Sequence, residues 1–168
     1  MKEEVVIGIG SNLGDRPGNC VKAIQRLDAH PDLEVLKVSS FYETEPVDAE
    51  GGWFVNAVAL LETSLDPFWL LTLFKGIERE MGRPEAHRRG TPRTIDLDLL
   101  LYGRRMIQTK ELVIPHPRMH KRRFVLLPLY EIAPKVEHPL LKRTAEELLL
   151  TLQDPSRVRL LPMAHTTR

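Results

Sequence analysis

Asp96 and Asp98 stand two residues apart in the run Ile95-Asp96-Leu97-Asp98-Leu99. In an extended strand alternate side chains share a face, so both carboxylates project to one side and the three aliphatics to the other. At strand rise the two acids sit roughly 7 Å apart. That spacing suits two divalent cations, which in known two-metal sites lie about 3.5–4 Å from each other. Mg²⁺ is the natural occupant, because it retains water and takes few carboxylates plus substrate phosphates. A simpler reading is an acidic strand face open to solvent. The segment before it favours the metal reading: Arg83, Arg88, Arg89 and Arg93 face a single acid, Glu85. Metals bridging phosphate oxygens while guanidiniums clamp the rest make a polyphosphate site.

A second basic segment runs His116-Pro117-Arg118-Met119-His120-Lys121-Arg122-Arg123 and contains no acid. It reads as a further phosphate clamp led by His116 and Arg122, or as an exposed basic turn. Thr44, Phe54, Asn56 and Phe124 form a different group. A flat heterocycle needs aromatic faces to stack on and a few polar groups to read its edge. Asn56 lies in an otherwise apolar stretch, where an amide must find a partner, either neighbouring backbone or a ligand. Zinc is not expected, since Cys20 is alone. Gly8-Ile9-Gly10-Ser11-Asn12-Leu13-Gly14 lacks the Gly-Lys-Ser/Thr ending of a P-loop.

The elements that must position these groups follow from periodicity. Residues 4–10 read as a buried strand, followed by a helix capped by Asp15 with Pro17 in its first turn. Residues 35–42 and 54–62 read as two more strands, the latter central because it is apolar on both faces. Asp66-Pro67 starts a helix with its stripe at Leu70, Leu71, Phe74, Ile77 and Met81, and Gly82 stops it. Residues 95–101 form the acidic strand. The order is β-α-β-β-α-β, that of an α+β ferredoxin-like sandwich with a mainly antiparallel sheet and helices expected on one face. C-terminal additions follow: a short strand near Met106, an apolar segment over 124–132, and a helix capped by Thr144-x-x-Glu147.

At 168 residues the chain is expected to be one domain spanning 1–168. A net charge of +1 argues against a general polyanion binder, so anion preference must be local. A lone cysteine, no membrane-length apolar run and no signal-type N-terminus point to a cytoplasmic protein. No nucleic-acid, membrane or obligate protein partner is expected.

Ser11-Asn12-Leu13-Gly14, Ser39-Ser40-Phe41-Tyr42-x-Thr44-x-Pro46, Phe54-Val55-Asn56-Ala57 and Pro92-Arg93-Thr94-Ile95-Asp96-Leu97-Asp98 resemble the 6-hydroxymethyl-7,8-dihydropterin pyrophosphokinase family. Ile114-Pro115-His116-Pro117 and Phe124-Val125-Leu126-x-Pro128-Leu129 extend the likeness to about residue 134. The resemblance implies a ferredoxin-like fold and transfer of pyrophosphate from ATP to a pterin alcohol. It implies that Asp96 and Asp98 hold two Mg²⁺ ions, that Arg83 and Arg93 act on the transferring phosphates, and that His116 and Arg122 touch ATP. Lys75 and Glu78 would lie on the helix face near the nucleotide. Asn56 would read the pterin edge with Thr44, between Phe54 and Phe124. The chain departs from the family pattern at Glu85 (an arginine in some members), in lacking a Trp before Gly90, at Phe54 (a Tyr) and at Pro117 (an aromatic). The loop over 82–93 is expected to close over ATP. Competing classes are an RNA-binding module of the same element order, which needs stacking aromatics on an open sheet, and a two-metal phosphoesterase.

Overall fold

The structure is a computed structural model that describes residues 2–46, 52–82 and 94–162. In chain order the main elements are β1 (Glu3–Ser11), α1 (Arg16–Asp28), β2 (Leu33–Val38), β3 (Tyr42–Thr44), β4 (Phe54–Thr63), α2 (Pro67–Glu80) and β5 (Asp96–Tyr102). Then come β6 (Ile107–Gln108), β7 (Val113–Ile114), a 3₁₀ turn (Met119–Lys121), α3 (Arg123–Ile132), β8 (Glu137–His138), β9 (Arg143–Thr144), α4 (Ala145–Leu150) and β10 (Val158–Leu160). The main sheet runs β10-β3-β4-β1-β5, with β2 also on β4, and every pairing is antiparallel. This is the ferredoxin-like order, with the expected β4 at the centre.

Alternation along β1 divides the core in two. Val5, Ile7 and Ile9 join Leu70, Phe74, Ile77, Ala23 and Leu27 of the two long helices. Val6 points the other way, with Val58, Leu100 and Leu101, against Val125 and Leu129 of α3, Met119 and Ala145. Helices therefore cover both faces, not one. The 124–132 segment is a helix whose apolar side closes the face that a simpler sandwich leaves open.

Local signals explain most boundaries. Asp66 accepts the N–H groups of Phe68 at 2.8 Å and Trp69 at 3.4 Å, and Pro67 fills the first helical position, where no N–H is needed. Gly82 has φ +107, a left-handed exit open to glycine, just after α2. The Thr144–Glu147 capping box forms at α4.

The expected strand over 35–42 is two strands. Ser39 interrupts it by accepting Val58 N–H on its own hydroxyl at 2.9 Å, which frees the chain to shift and bury Phe41. β3 resumes at Tyr42 and is tied to α3 by Glu131. That carboxylate accepts Tyr42 O–H at 2.7 Å, Ser40 O–H at 2.8 Å and Ser40 N–H at 3.0 Å. Burial, then the Glu131 hydrogen bond and its charge, push the Tyr42 phenol well above its ordinary range.

Glu131→Ala should leave three donors without their acceptor and lower unfolding stability by about 1–3 kcal/mol. Glu131→Gln should lose less. Chemical denaturation of the two variants checks this; equal stability with the unaltered chain would remove Glu131 as the tie.

Candidate active site

The site is built on the sheet face that α3 covers. Gly10 of β1 stands opposite Asn56 of β4 on one side and Asp96 of β5 on the other. Gly8 stands between Val58 and Asp98 in the same way. Directly opposed residues share a face, so Asp96 and Asp98 project together, as their spacing predicts. Leu97 and Leu99 go to the opposite core. Tyr42 lies opposite Asn56, and Thr44 opposite Phe54. One row thus reads Tyr42, Asn56, Gly10, Asp96 across four strands. At ~4.8 Å between strands, the amide and the carboxylate are anchored roughly 10 Å apart over a strand with no side chain there.

The glycines are necessary. A Cβ at Gly10 would come within 2.6 Å of Asn56 Oδ1 and 3.6 Å of the Phe54 ring. Asn56 is buried and donates Nδ2–H to the equally buried Thr44 Oγ1 at 2.6 Å. This directs its Oδ1 over Gly10, toward the carboxylate strand. Phe54 and Phe124 are half-buried, and the Arg122 guanidinium lies 5.3 Å from the Phe124 ring centroid. Arg122 therefore joins the aromatic group to the basic segment.

β5 is the sheet edge, so some of its N–H groups find no strand partner. Glu78, one turn from the end of α2, reaches across to accept Leu97 N–H at 2.8 Å. It thereby pins the strand midway between the two aspartates. Lys75, one turn earlier, is exposed. His116 is placed by its own N–H, which donates to Leu100 O on β5 at 2.9 Å. Its Nδ1 accepts Arg118 N–H at 3.1 Å. Burial, then the Arg122 and Arg118 charges, push its pKa down to about 4, against a smaller opposing pull from Asp96. His116 is therefore neutral at pH 7, with Nδ1 occupied as an acceptor and the proton on Nε2, ready to donate to an anion.

Among the described residues no three His, Cys, Asp or Glu side chains converge as a closed metal cage. Two half-buried carboxylates on a glycine floor instead suit a hard cation that completes its shell with water and substrate oxygen. Arg83 and Arg93 lie outside the described residues, as do Glu85 and most of the loop expected to close. Sequence reasoning missed Gly8, Gly10 and Tyr42. The signal for the first two was present: glycine inside a β-branched strand marks close approach by another group.

Residues 6–134 match the family model described as 7,8-dihydro-6-hydroxymethylpterin-pyrophosphokinase. The 2-amino-4-hydroxy-6-hydroxymethyldihydropteridine pyrophosphokinase of Bacillus subtilis is 48% identical over 138 residues, 82% of each chain. The protein of the same name from Aquifex aeolicus is 44% identical, over 85% of this chain and 88% of its own. In solved structures the fold resembles Plasmodium falciparum HPPK-DHPS with pteroate, at TM-score 0.72 and 17% identity. That match covers 89% of this chain but 42% of the longer one. No helix among the described residues is long and apolar enough to cross a membrane.

Gly10→Ala should displace the Asn56 amide, because the colliding atom is the end of a side chain that can turn. The protein should stay folded, while affinity for a heterocycle lying between Asn56 and the aromatics falls at least about tenfold, a loss of ~1.4 kcal/mol. Calorimetric titration beside a melting curve checks both. For His116, NMR titration of the ligand-free protein in chelator should show a neutral ring at pH 6. As pH falls from 6.5 toward 4 the unfolded chain takes up this proton before the folded one does, so the group subtracts stability across that window. A midpoint near 6.5 would contradict the placement.

Proposed function

The chain belongs to the 7,8-dihydro-6-hydroxymethylpterin-pyrophosphokinase family, and we propose that it transfers pyrophosphate from ATP to 6-hydroxymethyl-7,8-dihydropterin in folate biosynthesis. The observation that carries this reading is one shared face of the sheet: an amide able to read a heterocycle edge stands across Gly10 from Asp96, with Asp98 beside it across Gly8, so that amide and carboxylate pair are separated by glycine.

In this mechanism the pterin hydroxymethyl oxygen attacks the β-phosphorus of ATP. The bond from the β-phosphorus to the α–β bridging oxygen breaks, AMP departs with that bond's electrons, and the alcohol proton passes to solvent water. Asn56, held by Thr44, hydrogen-bonds the pterin edge, and Phe54 and Phe124 stack on its faces. The pterin lies over the Gly10 floor with its alcohol directed toward Asp96 and Asp98. These aspartates would hold two Mg²⁺ ions, whose bound charge offsets that of the phosphates. His116 donates from Nε2 to a phosphate oxygen, and Arg122 adds a charge-assisted contact. Arg83 and Arg93 are proposed to clamp the transferring group. Lys75, exposed on α2, is proposed to contact the nucleotide. Glu78 acts less directly, by fixing β5. Alignment and charge neutralisation supply the rate, and no side chain need serve as an obligatory base.

The RNA-binding alternative meets a physical obstacle. The face that would meet RNA carries Asp96 and Asp98, which repel a phosphate chain, and α3 packs over part of it. A phosphoesterase would share the acid pair but has no use for a heterocycle reader at Asn56. The whole of residues 1–168 is taken to act as one enzyme unit, and the cytoplasm is its proposed location.

Incubation with ATP, Mg²⁺ and the hydroxymethyl pterin should release AMP; ADP would indicate simple phosphoryl transfer instead. Asp96→Ala and Asp98→Ala should each lower kcat/KM by at least ~10³, about 4 kcal/mol of transition-state stabilisation, without loss of fold by circular dichroism. Either variant retaining most of its Mg²⁺-dependent turnover would refute the metal assignment.

A further inference from the structure

The C-terminal segment after α4 touches both sides of the proposed heterocycle slot. Asp154 Oδ2 accepts Arg123 N–H at 2.8 Å, and the Asp154 carbonyl accepts Arg123 Nη2 at 2.9 Å and Nε at 3.3 Å. Asp154 Oδ1 is held in turn by Ser156 N–H at 2.9 Å and by the Ser156 hydroxyl. Burial opposes its charge, but the bonds from Arg123 and Ser156 prevail and its carboxyl sits below the usual range. Arg123 opens α3 and precedes Phe124. The residue before it, Arg122, makes no capping bond with its side chain. A helix start needs acceptors for its free N–H groups and favours negative charge. Asp154, 31 positions away, supplies both.

Three residues further on the segment reaches the other wall. Arg157 N–H donates to Glu45 Oε1 at 2.7 Å, and Glu45 N–H donates to the Arg157 carbonyl at 3.2 Å. β10 then pairs with β3, placing Val158 opposite Thr44 and Leu160 opposite Tyr42. The Arg157 and Arg159 guanidiniums lie 5.3 and 4.6 Å from the centroid of Trp53. Arg159 also pairs with Glu43 at 3.1 Å, and Arg16 takes the other Glu43 oxygen at 2.9 Å while donating to the Trp53 carbonyl at 2.8 Å. Trp53 is the immediate neighbour of Phe54.

We propose that residues 154–161 are a strap that fixes the position of Phe54 relative to Phe124, with Asp154, Arg157 and Arg159 as positioning residues for the pterin. The proposal rests on the pterin-binding reading above. Each aromatic wall begins its element: Phe54 is the first residue of β4 and Phe124 the second of α3. Element ends fray unless tied, and the strap ties both. Covering the free edge of β3 would by itself require only the β10 backbone. It does not account for two guanidiniums on one indole or for a carboxylate reaching the start of α3.

The test uses the full chain carrying Trp69→Phe. The chain has two tryptophans, and Trp69 is 65% exposed on α2, so this change leaves Trp53 as the sole indole reporter. AMP release is measured with pterin and ATP varied separately. Asp154→Ala and the Arg157→Ala/Arg159→Ala double variant should each raise the pterin KM about tenfold or more. The ATP KM should stay within about twofold, and Trp53 emission should shift to the red in the double variant. Asp154→Asn, which keeps an oxygen acceptor, should recover most of the pterin affinity. If Asp154→Ala fails to fold, the Arg157→Ala/Arg159→Ala double variant and Arg157→Ala alone carry the comparison, with a smaller rise expected for the single variant. An active parent whose variants melt lower but keep the parental pterin KM overturns the strap and leaves it an edge cover. A parent that releases no AMP overturns the functional reading instead, a different and separately visible failure.

Discussion

The site depends on β1 presenting no side chain at positions 8 and 10 on the face toward α3. The central strands of a buried sheet ordinarily fill both faces, and β1 does so elsewhere: Val5, Ile7 and Ile9 on one side, Val6 on the other. Its two glycines interrupt that packing where the strand runs between Asn56 and the aspartates. Glycine inside a strand costs backbone entropy and contributes no burial, so its occurrence twice on one face needs a reason. The Asn56 oxygen provides one, since it occupies the volume that a Cβ at Gly10 would enter. A second follows from the functional reading: a substrate spanning from amide to carboxylates must lie flat over β1. The floor is rigid because the strand is hydrogen-bonded on both sides.

Around that floor the charges are arranged by element. The acids come from the edge strand β5, held by Glu78 at Leu97 N–H. The cations and the neutral imidazole come from the turn that enters α3. A net charge near zero thus conceals a local dipole across the site. His116 illustrates the coupling. Burial and two arginines keep it uncharged, which prevents it from competing with cations for the aspartates while leaving one N–H for an anion. Cys20 lies beneath β4 in the opposite core, where burial chiefly raises its thiol to about 12 and leaves it unreactive.

Much of this was legible in the residues. The parity of Asp96 and Asp98 follows from strand geometry alone, and the Asp66-Pro67 start and Thr144–Glu147 box are local chemistry that tertiary packing did not override. The element order led directly to the sheet order. What could not be read was decided by contacts distant in sequence. Ser39 divides the second strand because its hydroxyl meets Val58, nineteen residues on. The apolar segment over 124–132 was visible, but its helical form and its choice of the second sheet face depend on Val6, Val58 and Leu100 being there to receive it. β10 is three residues, Val158-Arg159-Leu160, too short for its alternation to mark a strand, and it forms by pairing with β3. Gly10 carried a usable signal, but its meaning required knowing that Asn56 was its neighbour across the sheet.

The same dependence explains why the proposed polar reader and the proposed aromatic walls are supported differently. Asn56 lies inside a central strand, flanked by β1 and β3, and its amide is fixed by one short bond to a buried threonine. It can be precise without further help. Phe54 and Phe124 lie at element starts, where backbone restraint is weakest, and stacking is sensitive to ring offset and tilt. Restraint must come from outside those elements. Glu131 supplies part of it by binding α3 to Ser40 and Tyr42 beside β3. Asp154 and the two arginines of the C-terminal segment supply more, at the open end where Glu131 does not reach. On the proposed reading, a substrate floor built into the sheet centre needs its walls held by chain that arrives last, which gives the residues after α4 a physical role that the match over residues 6–134 does not contain.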